Sequence, residues 1–345
     1  MRRFFGFGLL LLAALLAGQG AARAQDWALN GAESRFYMQT AKNNAVIETH
    51  QFSILDGSVK ADGTATVQVD LTSVASGIDV RDVRMRFLLF ETFKFPKAMI
   101  SAKLDMNKLR GVLTATRLTY PLEVSVTLHG VTAPIETEVF VTRLDDKTVS
   151  VATAKPIVVK AETFGLDAGV AKLSEAVGGV PIVRAASITF DLAFQTGDMI
   201  PEIEAQRTRT LEQKQAEETS QMSGEACQTR FSVISTAGSI FFRTGSAELD
   251  SASEPLLVSV AEIAQRCPEV HVKVTGHTDA VGSHQANQIL SEERARTVAT
   301  FLASRGVDVK RIEASGRGDT QPVVANDTEE HRAKNRRIEF QVVSE

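Results

Sequence analysis

Asp279 and Arg294 are the residues whose types and spacing most directly suggest chemistry. The acid lies just past an alternating run, Val270, Val272 and Val274, and the guanidinium follows fifteen positions later within a helical periodicity. Such a pair either bridges itself or, held at fixed places, presents an anion beside a planar cationic fork. Spacing alone leaves both open. Arg336 and Arg337 read either as a solvated pair or as part of the same surface, and Arg317-Gly318-Asp319, although it spells a cell-adhesion tripeptide, reads as a turn. His271, His277 and His284 invite a metal, but His271 belongs to the alternating run and a Gly-containing loop separates the other two. None repeats a zinc-ligand spacing. The chain has no G-x-S-x-G, no H-E-x-x-H and no P-loop. These residues predict binding, with no metal and no cofactor, rather than catalysis.

The elements that must position these groups fall into three parts. In 227–345, Leu256, Val260, Ile263 and Cys267 recur at helical spacing after possible N-caps Asp250 and Ser251. Ala295, Val298, Phe301 and Leu302 form a second helical face that Gly306 ends, and Ile338, Phe340 and Val342 alternate as a closing strand. Strands interleaved with helices predict an α/β sandwich, helices on one side of a small sheet. Residues 25–195 are strand-like: Leu122, Val124, Val126 and Leu128 alternate with Glu123, Ser125 and Thr127, and Ile188, Phe190, Leu192 and Phe194 repeat the pattern. That predicts an antiparallel barrel or sandwich. Residues 196–226 hold ten charged side chains and no sustained apolar stripe, which suits a solvated helix or flexible spacer. Fully helical, it would span roughly 45 Å.

Composition narrows the classes. With 43% apolar and 23% charged residues, wholesale disorder is excluded. Residues 1–24 read as a secretory signal: Arg2 and Arg3, an apolar stretch from Leu9 to Leu16, then Ala22-Arg23-Ala24. Without Arg2, Arg3 and Arg23 the chain has 35 basic against 42 acidic residues, a poor match to nucleic acid. No Cys stands directly after the apolar stretch, and no later run approaches the ~18 residues of a spanning helix. Export to an oxidising compartment predicts that Cys227 and Cys267, the only cysteines, form a disulfide.

Beyond these patterns, Ser239-Ile240-Phe241-Phe242, Gly276-His277-Thr278-Asp279, Asn287, Leu290-Ser291, Arg294-Ala295, Gly316-Arg317-Gly318-Asp319 and Asn335-Arg336-Arg337 together resemble the OmpA-like C-terminal domain, with Arg317 standing where the family usually has an aromatic residue. The resemblance implies a βαβαβ sandwich that binds peptidoglycan noncovalently through the diaminopimelate of its stem peptide. Diaminopimelate ends in an ammonium and a carboxylate on one carbon. By the family motif Asp279 and Arg294 form its clamp, and Thr278, Asn287, Leu290 and Arg337 line or brace the site.

Members of that family often carry an outer-membrane barrel in front, which needs aromatic girdles. One Trp and two Tyr cannot supply them. Instead, Trp27, Ser76-Gly77-Ile78-Asp79, Arg81-Asp82, Phe95-Pro96 and the run Thr127 to Pro134 are similar to the YceI-type domain. That implies a lipocalin-like antiparallel barrel holding a polyisoprenoid or other amphiphile, with Phe36, Phe52, Phe87, Phe90 and Phe93 as candidate lining. His129 reads as a turn or core histidine. The expectation is a periplasmic, wall-attached, non-catalytic binding protein, associated with the outer membrane. An enzyme acting on a lipid or quinone in the barrel, or a filled barrel serving as a spacer, are the alternatives.

Overall fold

The computed structural model describes residues 26–113, 116–237, 240–243 and 245–344; the signal assigned to 1–24 lies outside them. Strands β1 (Trp27–Lys42), β2 (Val46–Phe52), β3 (Leu55–Val59), β4 (Thr64–Asp70), β5 (Val74–Ala75), β6 (Lys97–Lys103), β7 (Arg117–Leu128), β8 (Val131–Arg143), β9 (Thr148–Thr153), β10 (Ile157–Lys160) and β11 (Ala185–Thr196) form one sheet. The order β1-β3-β4-β6-β7-β8-β9-β11 returns to β1, closing an antiparallel barrel of eight strands. β2 continues along β1 beyond β3 and carries β5, while β10 flanks β11.

Alternation along β7 shows why the barrel is hollow rather than lipid-facing. Tyr120, Leu122, Val124 and Val126 point inward, while Thr119, Glu123 and Ser125 are exposed. An apolar inside and polar outside reverse the pattern of a membrane barrel. The β7–β8 register runs unbroken from Arg117↔Thr142 to Leu128↔Val131. His129 (φ 52°) and Gly130 (φ 77°) turn the chain between them, both in the left-handed region that two-residue hairpin loops require.

The segment expected as a spacer contains a 20-residue helix, Ile200–Thr219, with Pro201 in its first turn. It does not reach outward. Arg207 pairs with Asp56 of β3 at 3.0 Å and Lys214 with Asp70 of β4 at 2.7 Å, so the helix lies along the barrel. Two of its cations, read as solvation, find acids on the barrel wall. The next helix, Gly224–Ala237, begins inside the stretch expected as linker.

The second domain is a three-stranded sheet, β13-β12-β14, from β12 (Val270–Gly276), β13 (Ile312–Gly316) and β14 (Ile338–Ser344). β12 runs parallel to β13 and antiparallel to β14. The helix His284–Ser304 lies tightly on it where Gly276 pairs with Gly316: a Cβ on Gly276 would sit 2.2 Å from the Ser291 carbonyl oxygen. Cys227 and Cys267 are joined, tying Gly224–Ala237 to the end of Glu254–Gln265.

The domains share apolar packing. Val83 and Leu88, from the helical segment 79–89 of the barrel domain, are buried in one cluster with Phe231, Ile234 and Leu257. Arg230 of Gly224–Ala237 grips Asp79 at the start of that segment with two bonds, at 3.0 and 3.1 Å.

Candidate functional site: an apolar cavity and a charged cleft

The barrel encloses a cavity of about 760 Å³. Phe36, Phe52 and Phe90 line it and touch in sequence, with ring centroids 6.0 Å apart from Phe36 to Phe52 and from Phe52 to Phe90. Phe87 and Phe93 are elsewhere. They stack on each other at 6.3 Å and pack against the second domain's core. The five phenylalanines read as one lining because the sequence does not reveal that segment 79–89 has two buried faces. Met85, Leu89 and Phe90 turn to the barrel, and Val83, Phe87 and Leu88 to the other domain. A cavity this size also removes the filled-barrel alternative.

The candidate charged site lies at the C-terminal end of β12, where the strand runs into Thr278 and Asp279. The Thr278 backbone amide donates to the Gly318 carbonyl at 2.9 Å, and the Asn287 side-chain amide donates to the Asp279 carbonyl at 3.2 Å. These bonds fix the backbone that aims the acid. Asp279 is 9% exposed; its Oδ1 accepts from the Val281 amide at 3.0 Å and its Oδ2 from Arg336 Nη1 at 2.7 Å. Asp279 and Arg294 are therefore not bridged to each other.

Arg294 is held separately. Its Nε donates to the Ser246 carbonyl at 3.1 Å, and its guanidinium lies 5.0 Å over the Phe242 ring. Burial, and then the charge of Arg336, lower its pKa, while Asp279 opposes them. The bond to Asp279 is the main cause raising that of Arg336. Leu290 is half-buried on the same helix as Asn287 and Arg294.

Arg337 turns away from the acid. It binds Glu339 through Nε at 2.8 Å and Nη2 at 2.6 Å, beside His277. Arg336 rather than Arg337 contacts Asp279, since neighbouring residues entering β14 face opposite sides. Arg336 and Phe242, which the candidate site residues do not include, are the side chains that contact Asp279 and Arg294. The Arg336-Arg337 doublet was visible, but its division of labour was not.

Comparison with known proteins finds that residues 27–194 match the YceI-like domain and residues 241–336 the OmpA family. The chain is 37% identical over 108 residues to the probable lipoprotein YiaD of Escherichia coli K12, covering 31% of this chain and 49% of that one. It is 41% identical over 107 residues to the peptidoglycan-binding protein ArfA of Mycobacterium tuberculosis, covering 31% and 33%. The chain thus spans half or less of these relatives. A solved polyisoprenoid-binding domain from Saccharophagus degradans is 30% identical, with a TM-score of 0.48, over 50% of this chain and 98% of that one.

Proposed function

Because the chain joins a YceI-like domain to an OmpA-family domain, we propose that it is a non-catalytic binding protein of the cell envelope that grips peptidoglycan in its cleft and holds an isoprenoid-like amphiphile in its barrel. The observation that carries the barrel's part is the cavity of about 760 Å³, walled by phenylalanines and aliphatic side chains. It lies within the range of small-molecule sites. Apolar burial of a prenyl chain there contributes roughly 0.8 kcal/mol per methylene, before ordering costs.

In the cleft, diaminopimelate is the proposed ligand. Its ammonium faces Asp279, whose carboxylate retains acceptor capacity beyond the bonds from Arg336 and Val281. Its carboxylate meets Arg294, which Ser246 and Phe242 hold in place. Arg336 orients the acid. The relatives' names, a lipoprotein and a peptidoglycan-binding protein, support an envelope setting, and the disulfide suits the periplasm.

A catalytic reading starts from His50, a buried base on the cavity wall whose Nε2 lies 3.0 Å from Thr40 Oγ1. Glu48, the acid that would orient it, is instead engaged by Lys42 and Arg81, so we assign this group to ligand binding. Native mass spectrometry of the full chain purified from envelopes tests the barrel. An added mass whose extract contains a prenyl or acyl lipid is expected. Protein that carries no lipid and takes up no hydrophobic probe overturns the reading.

A further inference from the structure

One wall of the cavity carries a charge imbalance. Lys42 of β1, Glu48 and His50 of β2, and Arg81 and Arg84 of segment 79–89 all line it. Glu48 is shared by two cations, pairing with Lys42 and lying 2.8 Å from Arg81. Arg84 adds a third. Among the described residues no carboxylate pairs with it, and its buried Nε has no hydrogen-bond partner. The next acid on the segment, Asp82, accepts from the Ser76 amide at 2.8 Å. The cavity's other cations are balanced singly: Arg143 by Asp146 at 2.9 Å, Lys160 by Glu162 at 3.5 Å and Arg184 by Asp167 at 3.4 Å.

His50 completes the wall. It is 2% exposed, and its Nδ1 is buried without a partner while Nε2 meets the Thr40 hydroxyl. Burial lowers its pKa, so the imidazole is neutral near pH 7. In the tautomer in which the Thr40 hydroxyl donates to Nε2, Nδ1 carries the ring proton. The wall then presents one orphaned donor, Arg84 Nε, joined in that tautomer by His50 Nδ1, beside an excess of positive charge. Buried donors without partners are costly, and charge facing an apolar interior is weakly screened.

We propose that this wall seats an oxyanion, a phosphate or a carboxylate, at the end of the prenyl or acyl chain that fills the apolar part of the cavity. The inference rests on the barrel holding an amphiphile and adds which kind. A neutral head, such as an alcohol or quinone carbonyl, accepts a bond but leaves the charge excess in place.

Matched ligands separate the two claims. Binding of farnesyl phosphate and farnesol, and of palmitate and hexadecanol, is measured by displacement of a fluorescent hydrophobic probe from the full chain. The native protein should prefer an anionic member at least tenfold, and whichever pair shows it distinguishes phosphate from carboxylate. Arg84→Gln should reduce that ratio about tenfold, and Arg84→Lys, which keeps the charge, should retain most of it. Equal affinity within both pairs, or an unchanged ratio in Arg84→Gln, overturns the oxyanion seat while leaving the lipid reading intact. Failure of all four ligands to displace the probe overturns both.

Discussion

Asp279 Oδ2 and Arg336 Nη1 lie 2.7 Å apart, so the acid is already oriented by a guanidinium other than Arg294. Arg294 stands apart against Phe242, its charge carried into a buried setting. The cleft thus has one positioned anion and one positioned cation, with Arg336 bracing the former.

Asp279→Ala and Arg294→Ala should each weaken sedimentation with purified sacculi tenfold or more, because each removes a charge-assisted bond of about 1.5–3 kcal/mol. Arg294→Lys should also impair binding, since an ammonium lacks the planar fork. Arg336→Ala should weaken binding less than Asp279→Ala, because it removes the brace and leaves the anion. Because Asp279 and Arg294 are both buried, melting temperatures of the variants are read beside sedimentation to separate lost binding from lost fold. Unaltered sedimentation in both Asp279→Ala and Arg294→Ala sinks the clamp.

Leu88, 1% exposed, belongs to the barrel domain by sequence and to the second domain's core by packing. Leu88→Ala should cost about 2–5 kcal/mol. Calorimetry should show one transition for the whole chain, moved down as a unit. Two separate transitions, only one of them shifted, would contradict the shared core.

The disulfide links residues 40 apart in sequence, both within the second domain. Chain-entropy estimates give about 4 kcal/mol for a loop of this size. Urea midpoints of the Cys227→Ala/Cys267→Ala double variant should fall accordingly. A midpoint equal to that of the oxidised native chain contradicts the estimate.

Glu339 is held at a pKa of about 2 by the His277 imidazole, 3.7 Å from its Oε2, and by the two bonds from Arg337, against desolvation. A carboxylate depressed in the folded state stabilises above its unfolded pKa, and that stability is lost as pH falls through the folded value. The native chain should therefore lose stability between about pH 4.5 and 2 more steeply than Glu339→Gln. Parallel denaturation midpoints for the two proteins across that interval would remove Glu339 from the account.

Much of the fold is legible in the sequence, and the limits have physical causes. Leu122, Val124 and Val126 alone mark one buried face of β7, and Val270, Val272 and Val274 do the same for β12. Local periodicity reports such faces directly. It does not report what packs on them, so the sequence places Phe87 and Phe93 at the cavity and the helix Ile200–Thr219 in open solvent, where the structure does not. The cavity's charged wall is hidden for another reason. Thr40 and His50 meet across the β1–β2 hairpin, but Arg84 comes from the separate segment 79–89, which periodicity does not bring to the same cavity.

The central claim is that one chain holds an amphiphile and the wall at the same time. Sedimentation of purified sacculi with the full chain preloaded with radiolabelled farnesyl phosphate tests it most directly. The account predicts that label pellets in proportion to protein, and that Asp279→Ala leaves both in the supernatant. Protein that pellets without label, or labelled protein that remains soluble beside sacculi, would contradict it.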